Sequence, residues 1–292
     1  TKTVSAGAVD STTVRYRCDI PDFKLWWPNG YGEQNLYTMK VTFKASDGTV
    51  SYAESDIGIR TLDYKALPAG ESQNTYNRVV VINGKDIYMK GAGWCTLDSM
   101  MRFTREDYDR VLSRAHDAGI NYFRAWGGGL VETEEFYELC DEYGILLVDE
   151  ANIEAHGCGT GWHESYPEFH PSHRAEWKGA HHDRVRAMVE RDKNHPSVIL
   201  WSMGNESSDG AVHGEMYTWI KDRDKTRFVQ LEQGYGGKHT DIICPMYPRM
   251  DDFRRYAERT NMRKPYIMCE FAHSMGNSTG NCREFFDIME GH

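Results

Sequence analysis

The sequence predicts an α/β protein: a (β/α)8 TIM barrel truncated before strand eight, preceded by part of an immunoglobulin-like β-sandwich. From about residue 79, strand-like and helix-like segments alternate, which is the pattern of a parallel sheet covered by helices. The alternation is too long for a flavodoxin-like unit, and no Gly-x-Gly-x-x-Gly segment follows the first strand. The first sixty residues instead contain short alternating runs divided by Pro, Gly and Asn, which is typical of antiparallel β-structure.

The composition changes along the chain predict three parts. Residues 1–63 are assigned to the partial sandwich, because three or four strands are fewer than the roughly seven of a complete one. Residues 64–78 are polar and are interpreted as a linker, and residues 79–292 are assigned to the catalytic barrel, incomplete at its C-terminus. The predicted sandwich strands cover residues 13–18, 36–43 and 50–57.

Seven barrel strands are visible in the alternation. An Asn83-Gly84 hairpin leads into the first strand, and Thr104, with Asp107 three residues later, marks the start of the first helix. An eighth strand would lie beyond His292, and an open barrel leaves unpaired edges, so we expect a truncated chain or closure by another segment. The predicted strands end near residues 93, 126, 149, 203, 232, 246 and 269.

The composition is that of a globular protein and argues against nucleic-acid-binding and membrane-spanning proteins. The chain has 292 residues, of which 40% are hydrophobic and 27% charged, as in ordinary globular proteins. A net charge of −10 argues against nucleic acid as a partner, and no apolar run approaches a membrane span. Seven widely spaced cysteines without a Cys-x-x-Cys pair favour a reducing compartment, so we expect a cytoplasmic location. An oligomer is compatible with the sequence, and the missing initiator Met suggests a trimmed or partial chain.

Two glutamates stand where barrel enzymes carry their chemistry. Glu206 follows predicted strand four and Glu270 ends predicted strand seven, so both should lie at the mouth of the barrel. Glycoside cleavage needs such a pair of carboxyl groups, one as general acid and the other as nucleophile or base. Either residue alone could be a structural ion pair, but the two together favour a catalytic site.

A second group of residues suggests a metal site. Glu154 and His156 follow strand three and, with Glu206, could bind a divalent cation such as Mg²⁺. The alternative is a histidine that only hydrogen-bonds within its loop. We interpret five further histidines as solvated loop residues rather than a zinc site: His163, His170, His173, His181 and His182.

Long motifs make the chain similar to glycoside hydrolase family two. Residues 194–206 (NHPSVILWSMGNE) resemble the acid/base signature of that family. Three further segments resemble the β-galactosidase branch of the family: residues 149–157 (DEANIEAHG), 241–247 (DIICPMY) and 269–277 (CEFAHSMGN). These motifs occur in the expected order at predicted strand ends, and the resemblance extends from about residue 20 to the end.

The resemblance implies a retaining exo-β-glycosidase that removes terminal non-reducing β-D-galactose by double displacement. It implies that Glu206 is the acid/base and that Glu270 is the nucleophile, with carboxyl groups about 5–5.5 Å apart. It also implies a Mg²⁺ cofactor bound by Glu154, His156 and Glu206. The resemblance also implies that Asn205 hydrogen-bonds the 2-hydroxyl of the sugar and that Tyr247 contacts the nucleophile. The other sugar-site residues that it implies are Arg124 and His273.

Some segments depart from the galactosidase pattern. Residues 124–129 (RAWGGG) resemble the β-mannosidase branch, as do residues 25–32 and 91–94. Trp126 would then be either a sugar-stacking platform or a packing residue at the barrel top. A β-galactoside or related oligosaccharide is the expected substrate, a β-mannoside is the alternative, and a β-glucuronide comes third.

Two hypotheses from other classes remain open. Members of the family usually have an N-terminal jelly-roll domain and a Trp-bearing eighth strand, and this sequence has neither. We therefore also consider a non-catalytic carbohydrate-binding fragment. A metal-dependent hydrolase that uses Glu154 and His156 directly is the third possibility.

Overall fold

A computed structural model describes residues 13–66, 78–158, 169–259, 264–273 and 280–291. Its strands are β1 (Leu36–Lys44), β2 (Val50–Gly58), β3 (Leu62–Ala66), β4 (Arg78–Ile82), β5 (Lys85–Ile87), β6 (Gly91–Trp94), β7 (Tyr122–Ala125), β8 (Leu146–Glu150), β9 (Val198–Ser202) and β10 (Phe228–Gln230). Its α-helices are α1 (Arg105–Asp117), α2 (Glu134–Tyr143), α3 (Lys178–Asp192), α4 (Ala211–Arg223), α5 (Met250–Ala257) and α6 (Cys282–Gly291).

A parallel sheet forms the centre of the molecule. Strands β6 to β10 lie side by side in chain order, and each pairs with its neighbour in parallel. Sequential parallel strands joined by helices are the construction of a TIM barrel, so the predicted fold class is confirmed. Predicted strands six and seven are reduced to parallel bridges, which pair Ile243 with Tyr266 and Met246 with Glu270.

Helix α1 illustrates how local sequence fixes these elements. The Thr104 amide donates a 3.0 Å hydrogen bond to the Asp107 carboxylate, which completes a capping box at the helix start. Tyr108, Leu112 and Ala115 then recur at helical spacing and are buried in the cluster between the helices and the sheet. The predicted boundaries of this helix are confirmed to within a residue or two.

The central strands have no solvent-exposed face. All five residues of β8 and all five of β9 are buried, because helices cover one side and the barrel interior the other. Leu147 packs in the helix-side cluster, whereas Leu146 and Val148 pack in the interior cluster. Only the carboxyl ends of these strands can therefore present polar groups to a ligand.

The N-terminal part forms one antiparallel hairpin of a sandwich. Strands β1 and β2 pair along their whole length, with Thr38 opposite Asp56 on a polar face. Met39, Val41 and Phe43 lie exposed on the other, apolar face, which in a sandwich packs against a second sheet. The predicted strand at residues 13–18 is wrong, since that segment makes no ladder.

The linker assignment needs a correction. Residues 64–66, assigned to a linker, belong to β3, which pairs antiparallel with β4. Residues 67–77 lie outside the described residues. The hairpin between β4 and β5 is confirmed, because Asn83 and Gly84 both have the positive φ angles that a tight type I′ turn requires.

The N-terminal part docks at the amino end of the barrel strands. The Trp26 indole donates a 2.8 Å hydrogen bond to the Asp141 carbonyl, and Arg60 donates to the carbonyls of Pro196 and Val198, both at 2.8 Å. Because Val198 begins β9, this contact leaves the opposite, carboxyl end of the sheet free. Within the described part of the chain, we find no helix with the length and apolar character that a membrane crossing requires.

We predict that Trp26→Ala destabilises the protein by about 3–5 kcal/mol, because it empties a fully buried site and leaves a buried carbonyl unsatisfied. The measurement is urea unfolding followed by circular dichroism. Phe43→Ala is the matched aromatic control: its side chain is 63% exposed, so its effect should stay within about 0.5 kcal/mol. Equal losses for the two variants would contradict the proposed docking contact.

Candidate active site

Polar side chains from neighbouring strands meet at the carboxyl end of the sheet. Arg124 lies on β7, Glu150 is the last residue of β8, and Asn205 follows β9 by three residues. Glu270 comes from the bridge segment that continues the sheet. The structure thus brings together residues from across the predicted barrel mouth.

Arg124 is the centre of this group and is only 2% exposed. Its guanidinium donates to both oxygens of Glu150, at 2.8 to 3.1 Å, to Glu270 Oε1 at 2.8 Å and to Asn205 Oδ1 at 2.5 Å. Burial alone would lower the pKa of Arg124, but Glu150 and then the other anionic neighbours hold it well above its ordinary value. Arg124 is therefore a permanent cation that ties three strand ends together.

Both oxygens of Glu270 are occupied by donors. Arg124 bonds Oε1 and the Tyr247 hydroxyl donates to Oε2, while the Tyr247 amide bonds the Glu270 carbonyl at 2.8 Å. Burial and the bond to Glu270 raise the pKa of Tyr247, so the phenol keeps its proton. The two donors fix the orientation of the Glu270 carboxylate. His273 is exposed, with its ring edge-on to Tyr247 at 5.1 Å.

Glu206 stands on an unusual turn. Gly204 has a φ of +139° and Glu206 itself a φ of +45°, in the left-handed region that costs a non-glycine residue about 1–3 kcal/mol. The Asn205 amide between them bonds the Ile153 carbonyl at 2.9 Å. A Cβ on residue 204 would come within 3.1 Å of Ile153, so glycine fits both the angle and the space. The turn aims Glu206 away from the strand direction.

Glu154, His156 and Glu206 form the only group of three or more His, Cys, Asp or Glu residues that could hold a metal ion in the described part of the chain. One ligand atom from each lies within 4.8 Å of the others. His156 Nδ1 bonds Glu206, and Asn205 donates to Glu154 at 2.5 Å. Burial raises the pKa of Glu154, with repulsion from Glu206 as a lesser cause. Two carboxylates and one imidazole, partly open to water, suit a Mg²⁺ ion that keeps several waters.

Trp126 lies beside this group and is half-buried. A Cβ on Gly128 would come within 2.3 Å of the Trp126 ring and 2.5 Å of a Glu154 oxygen. Glycine at 128 therefore lets the indole and the carboxylate pack close together. This position is compatible with either proposed role of Trp126.

Sequence reasoning missed two buried carboxyl groups. Glu150, besides its bonds to Arg124, accepts hydrogen bonds from the Ser202 hydroxyl at 2.7 Å and the Gly127 amide at 2.8 Å. Glu232 follows β10, and burial raises its pKa to about 8. The available signal for Glu150 was an acidic pair, Asp149 and Glu150, directly after the apolar run 145–148, since a charge at the end of a buried strand must be paired or neutralised.

The interpretation of the loop histidines as solvated is wrong for two of them. His170 and His181 are buried, whereas His173 is exposed and His182 is intermediate. His163 lies outside the described residues. The buried imidazoles pack near helix α4 rather than facing water.

Comparisons with known proteins agree with this architecture. A family model described as "Glycosyl hydrolases family 2, TIM barrel domain" matches residues 74–292, and one described as "Glycosyl hydrolases family 2" matches residues 1–60. A beta-galactosidase of Priestia megaterium (strain DSM 319 / IMG 1521) is 37% identical over 290 residues, which cover 96% of this chain and 26% of the relative.

Solved structures of two other activities share the fold. The crystal structure of a beta-D-mannosidase from Dictyoglomus thermophilum has a TM-score of 0.59 and 27% identity, covering 82% of this chain and 31% of that one. A Parabacteroides merdae beta-glucuronidase has a TM-score of 0.63 and covers 85% of this chain and 31% of that one. At 20% identity, the second likeness shows the fold alone.

The strand-end carboxylates on a parallel barrel are the architecture of a glycoside hydrolase. The chain belongs to glycoside hydrolase family 2 and carries its TIM barrel domain. Within that family it is similar to the β-galactosidases, and it spans 26% of the length of the curated relative described above.

We predict that Arg124→Ala destabilises the protein by about 3–5 kcal/mol, because it leaves Glu150 charged and buried without its cation. Arg124→Met combined with Glu150→Gln should recover most of that loss, since neither buried charge then remains. The measurement is urea unfolding of the three proteins at pH 7. A double variant as unstable as Arg124→Ala would show that lost packing, not the orphaned charge, causes the effect.

Proposed function

We propose that the chain is the catalytic barrel of a retaining exo-β-galactosidase. Glu270 attacks the anomeric carbon while Glu206 gives a proton to the leaving oxygen, and the glycosidic bond breaks. A covalent glycosyl-enzyme forms on Glu270. Glu206 then takes a proton from the incoming water as that water displaces Glu270 and releases the sugar with its original configuration.

One observation carries the proposal: a single guanidinium joins both halves of the catalytic pair. Arg124 bonds Glu270 Oε1 at 2.8 Å and, through its other arm, Asn205, the residue that precedes Glu206. A structural ion pair needs only one partner for the arginine. Bonds to both catalytic segments fix their relative position, as a reaction between two groups on one substrate requires.

The surroundings of Glu270 suit a nucleophile. Hydrogen bonds from Arg124 and Tyr247 limit the rotation of its carboxylate, so that an oxygen can be presented to the substrate. Glu206 is bonded by the His156 imidazole rather than by a permanent cation, and 15% of its side chain is exposed, so that a leaving group and a water can reach it. The different environments of the two carboxyl groups support their different roles.

Galactose is the sugar that we propose, because the motifs around Glu206, Tyr247 and Glu270 and the galactosidase relative both favour it. A β-mannoside is the second candidate. Trp126 lies beside Glu154 at the mouth, on the segment whose sequence departs from the galactosidase pattern, and the mannosidase structure is 27% identical.

We also propose that Glu154, His156 and Glu206 hold Mg²⁺. The three ligand atoms are close enough together to share one ion, and their oxygen-rich set suits a hard cation. Bound there, Mg²⁺ would supply positive charge that orders Glu206 and the surrounding carboxylates.

A mechanism-based inhibitor tests the nucleophile directly. We expect an activated 2-deoxy-2-fluoro-β-galactoside to add one glycosyl group to Glu270. The fluorine slows both formation and hydrolysis of the glycosyl-enzyme, whereas the good leaving group speeds only its formation, so the intermediate accumulates. Intact-protein mass spectrometry, followed by peptide mapping, measures the label. Aryl β-galactosides, mannosides and glucuronides are then compared by nitrophenol release.

Glu270→Gln should abolish both labelling and turnover, lowering kcat by at least about 10³-fold. Glu258→Gln, which changes a surface residue beyond helix α5, is the control and should label like the parent. Labelling on another residue would overturn the assignment. Faster mannoside than galactoside turnover would instead leave the mechanism intact and change the sugar. Tight sugar binding without label or turnover would support a binding fragment.

Titration calorimetry tests the metal proposal. We expect one Mg²⁺ per chain and at least about tenfold weaker binding in Glu154→Gln, since a ligand charge is removed. Glu215→Gln changes an exposed carboxylate paired with Lys178 and serves as the control. Unchanged binding in Glu154→Gln would place the ion elsewhere. Full hydrolysis by Glu270→Gln with metal would favour a metal-dependent hydrolase.

A further inference from the structure

The segment that follows Glu206 is held largely by imidazoles. We call residues 206–210 the acid/base turn. The Ser207 hydroxyl lies 3.3 Å from His213 Nε2, and the Ser208 hydroxyl lies 3.1 Å from His173 Nε2. The turn ends at Gly210, whose amide donates to His213 Nδ1 at 3.3 Å. One buried histidine thus spans the turn.

The turn cannot hold its shape alone. Glu206 and Ser208 have φ angles of +45° and +63°, which non-glycine residues adopt only when neighbouring contacts impose them. Ser207 between them is buried, and its carbonyl accepts a 2.7 Å bond from the Ser172 hydroxyl. A Cβ on Gly210 would come within 2.1 Å of the Ser172 carbonyl, so the backbones are in close contact.

The bonding pattern fixes the protonation state of His213. A backbone amide can only donate, so the Nδ1 that accepts from Gly210 carries no proton, and the proton of the neutral ring lies on Nε2. Nε2 then donates to the Ser207 hydroxyl. Protonation of Nδ1 would set two N–H groups against each other and break the bond to Gly210.

Every element packed against His213 brings another imidazole. His181 comes from α3, with its ring edge-on at 6.1 Å, and His170 and His173 come from the segment before α3. His239 follows β10 and bonds Asp209 Oδ1 of the turn at 2.7 Å. Burial first, and then these four histidines, lower the pKa of His213 from 6.5 to about 3.

We propose that neutral His213 is the positioning residue of Glu206, and that protonation of this histidine on opening of the turn sets the acid limit of catalysis. The inference rests on the proposed role of Glu206 as acid/base. His213 touches no reacting atom and acts through the backbone of the turn. Its neutral ring holds Ser207 and Gly210, and they hold the left-handed residues that aim the carboxyl group.

The direction of the pH effect follows from linkage. In the opened turn, His213 takes a proton below its ordinary pKa of 6.5, whereas in the closed turn it stays neutral down to about 3. The closed form therefore has full stability above pH 6.5 and loses it as the pH falls. The ratio of closed to open turn should fall by up to about tenfold per pH unit in this window.

Two substitutions separate positioning from folding. Asn at position 213 can place its Oδ1 near the former Nδ1 and accept from Gly210 without titrating, whereas Leu cannot accept at all. We expect His213→Leu to lower kcat/KM for a phenyl β-galactoside by about 100-fold, because a displaced acid no longer reaches the leaving group. The kcat/KM of a 2,4-dinitrophenyl β-galactoside should fall far less, because this constant reports formation of the glycosyl-enzyme and the dinitrophenolate leaves without an acid.

His213→Asn should restore most of the kcat/KM for the phenyl substrate and flatten the acid limb of the pH profile. His116→Asn, on the exposed surface of α1, should match the parent. Equal losses of kcat/KM for both leaving groups in His213→Leu, or an unchanged acid limb in His213→Asn, would overturn the proposal.

Hydrogen exchange tests the positioning of the acid/base turn without any turnover. A failure of this inference can therefore be distinguished from a failure of the proposed function. Protection of amides 206–210 should fall between pH 6.5 and 4.5 in the parent and stay constant in His213→Asn. In His213→Leu, the amides of the acid/base turn should be unprotected at every pH. Protection that is independent of His213 would refute the positioning role, whatever the chain hydrolyses.

Discussion

The burial of one guanidinium governs the rest of the site. Arg124 on β7 pairs in register with Val148 on β8, two residues before Glu150, and alternation places Val148 and Glu150 on the same face. Glu150 in turn pairs in register with Ser202, and its carboxylate accepts a hydrogen bond from the Ser202 hydroxyl. The ion pair therefore forms only if the three strands are in the correct register, and a slip of one residue would leave both charges buried and unpaired. The register of the sheet and the geometry of the site are set together.

The charge balance around Arg124 explains the behaviour of the neighbouring acids. One permanent cation faces the carboxylates of Glu150 and Glu270, with Glu154 and Glu232 nearby. Glu150 and Glu270 bond the cation directly, whereas the pKa values of Glu154 and Glu232 are raised, chiefly by burial. A site with more carboxyl groups than cations attracts positive charge. The Mg²⁺ ion proposed above, or the positive charge that develops on a sugar during glycoside cleavage, would compensate this excess of negative charge.

The sequence predicted the parts of this molecule that depend on short-range pattern. The alternation of strands and helices, the Asn83-Gly84 turn and the helix start at Thr104 each have a local physical cause, and each is found. The strand-end rule predicts that Glu206 and Glu270 lie near one another, and in the structure Arg124 bonds Glu270 and Asn205, the residue before Glu206. Features that depend on distant partners were not visible. Strand β3 exists only because β4 pairs with it, and the burial of the loop histidines depends on α4 packing over them. A histidine in a Gly- and Pro-rich segment carries no local signal of burial.

The turn that carries Glu206 depends on side chains outside it. Left-handed angles at Glu206 and Ser208 together cost about 2–6 kcal/mol, so the relaxed backbone would point the carboxyl group elsewhere. The hydrogen bonds that offset this energy come from side chains outside the turn, with His213 supplying two of them. Typical net values of about 1 kcal/mol per bond mean that no single contact is in excess. Since α4 carries His213, the packing of that helix on the barrel is transmitted to the turn of Glu206 through two hydrogen bonds. The strained turn is closed only while that ring is neutral and in place.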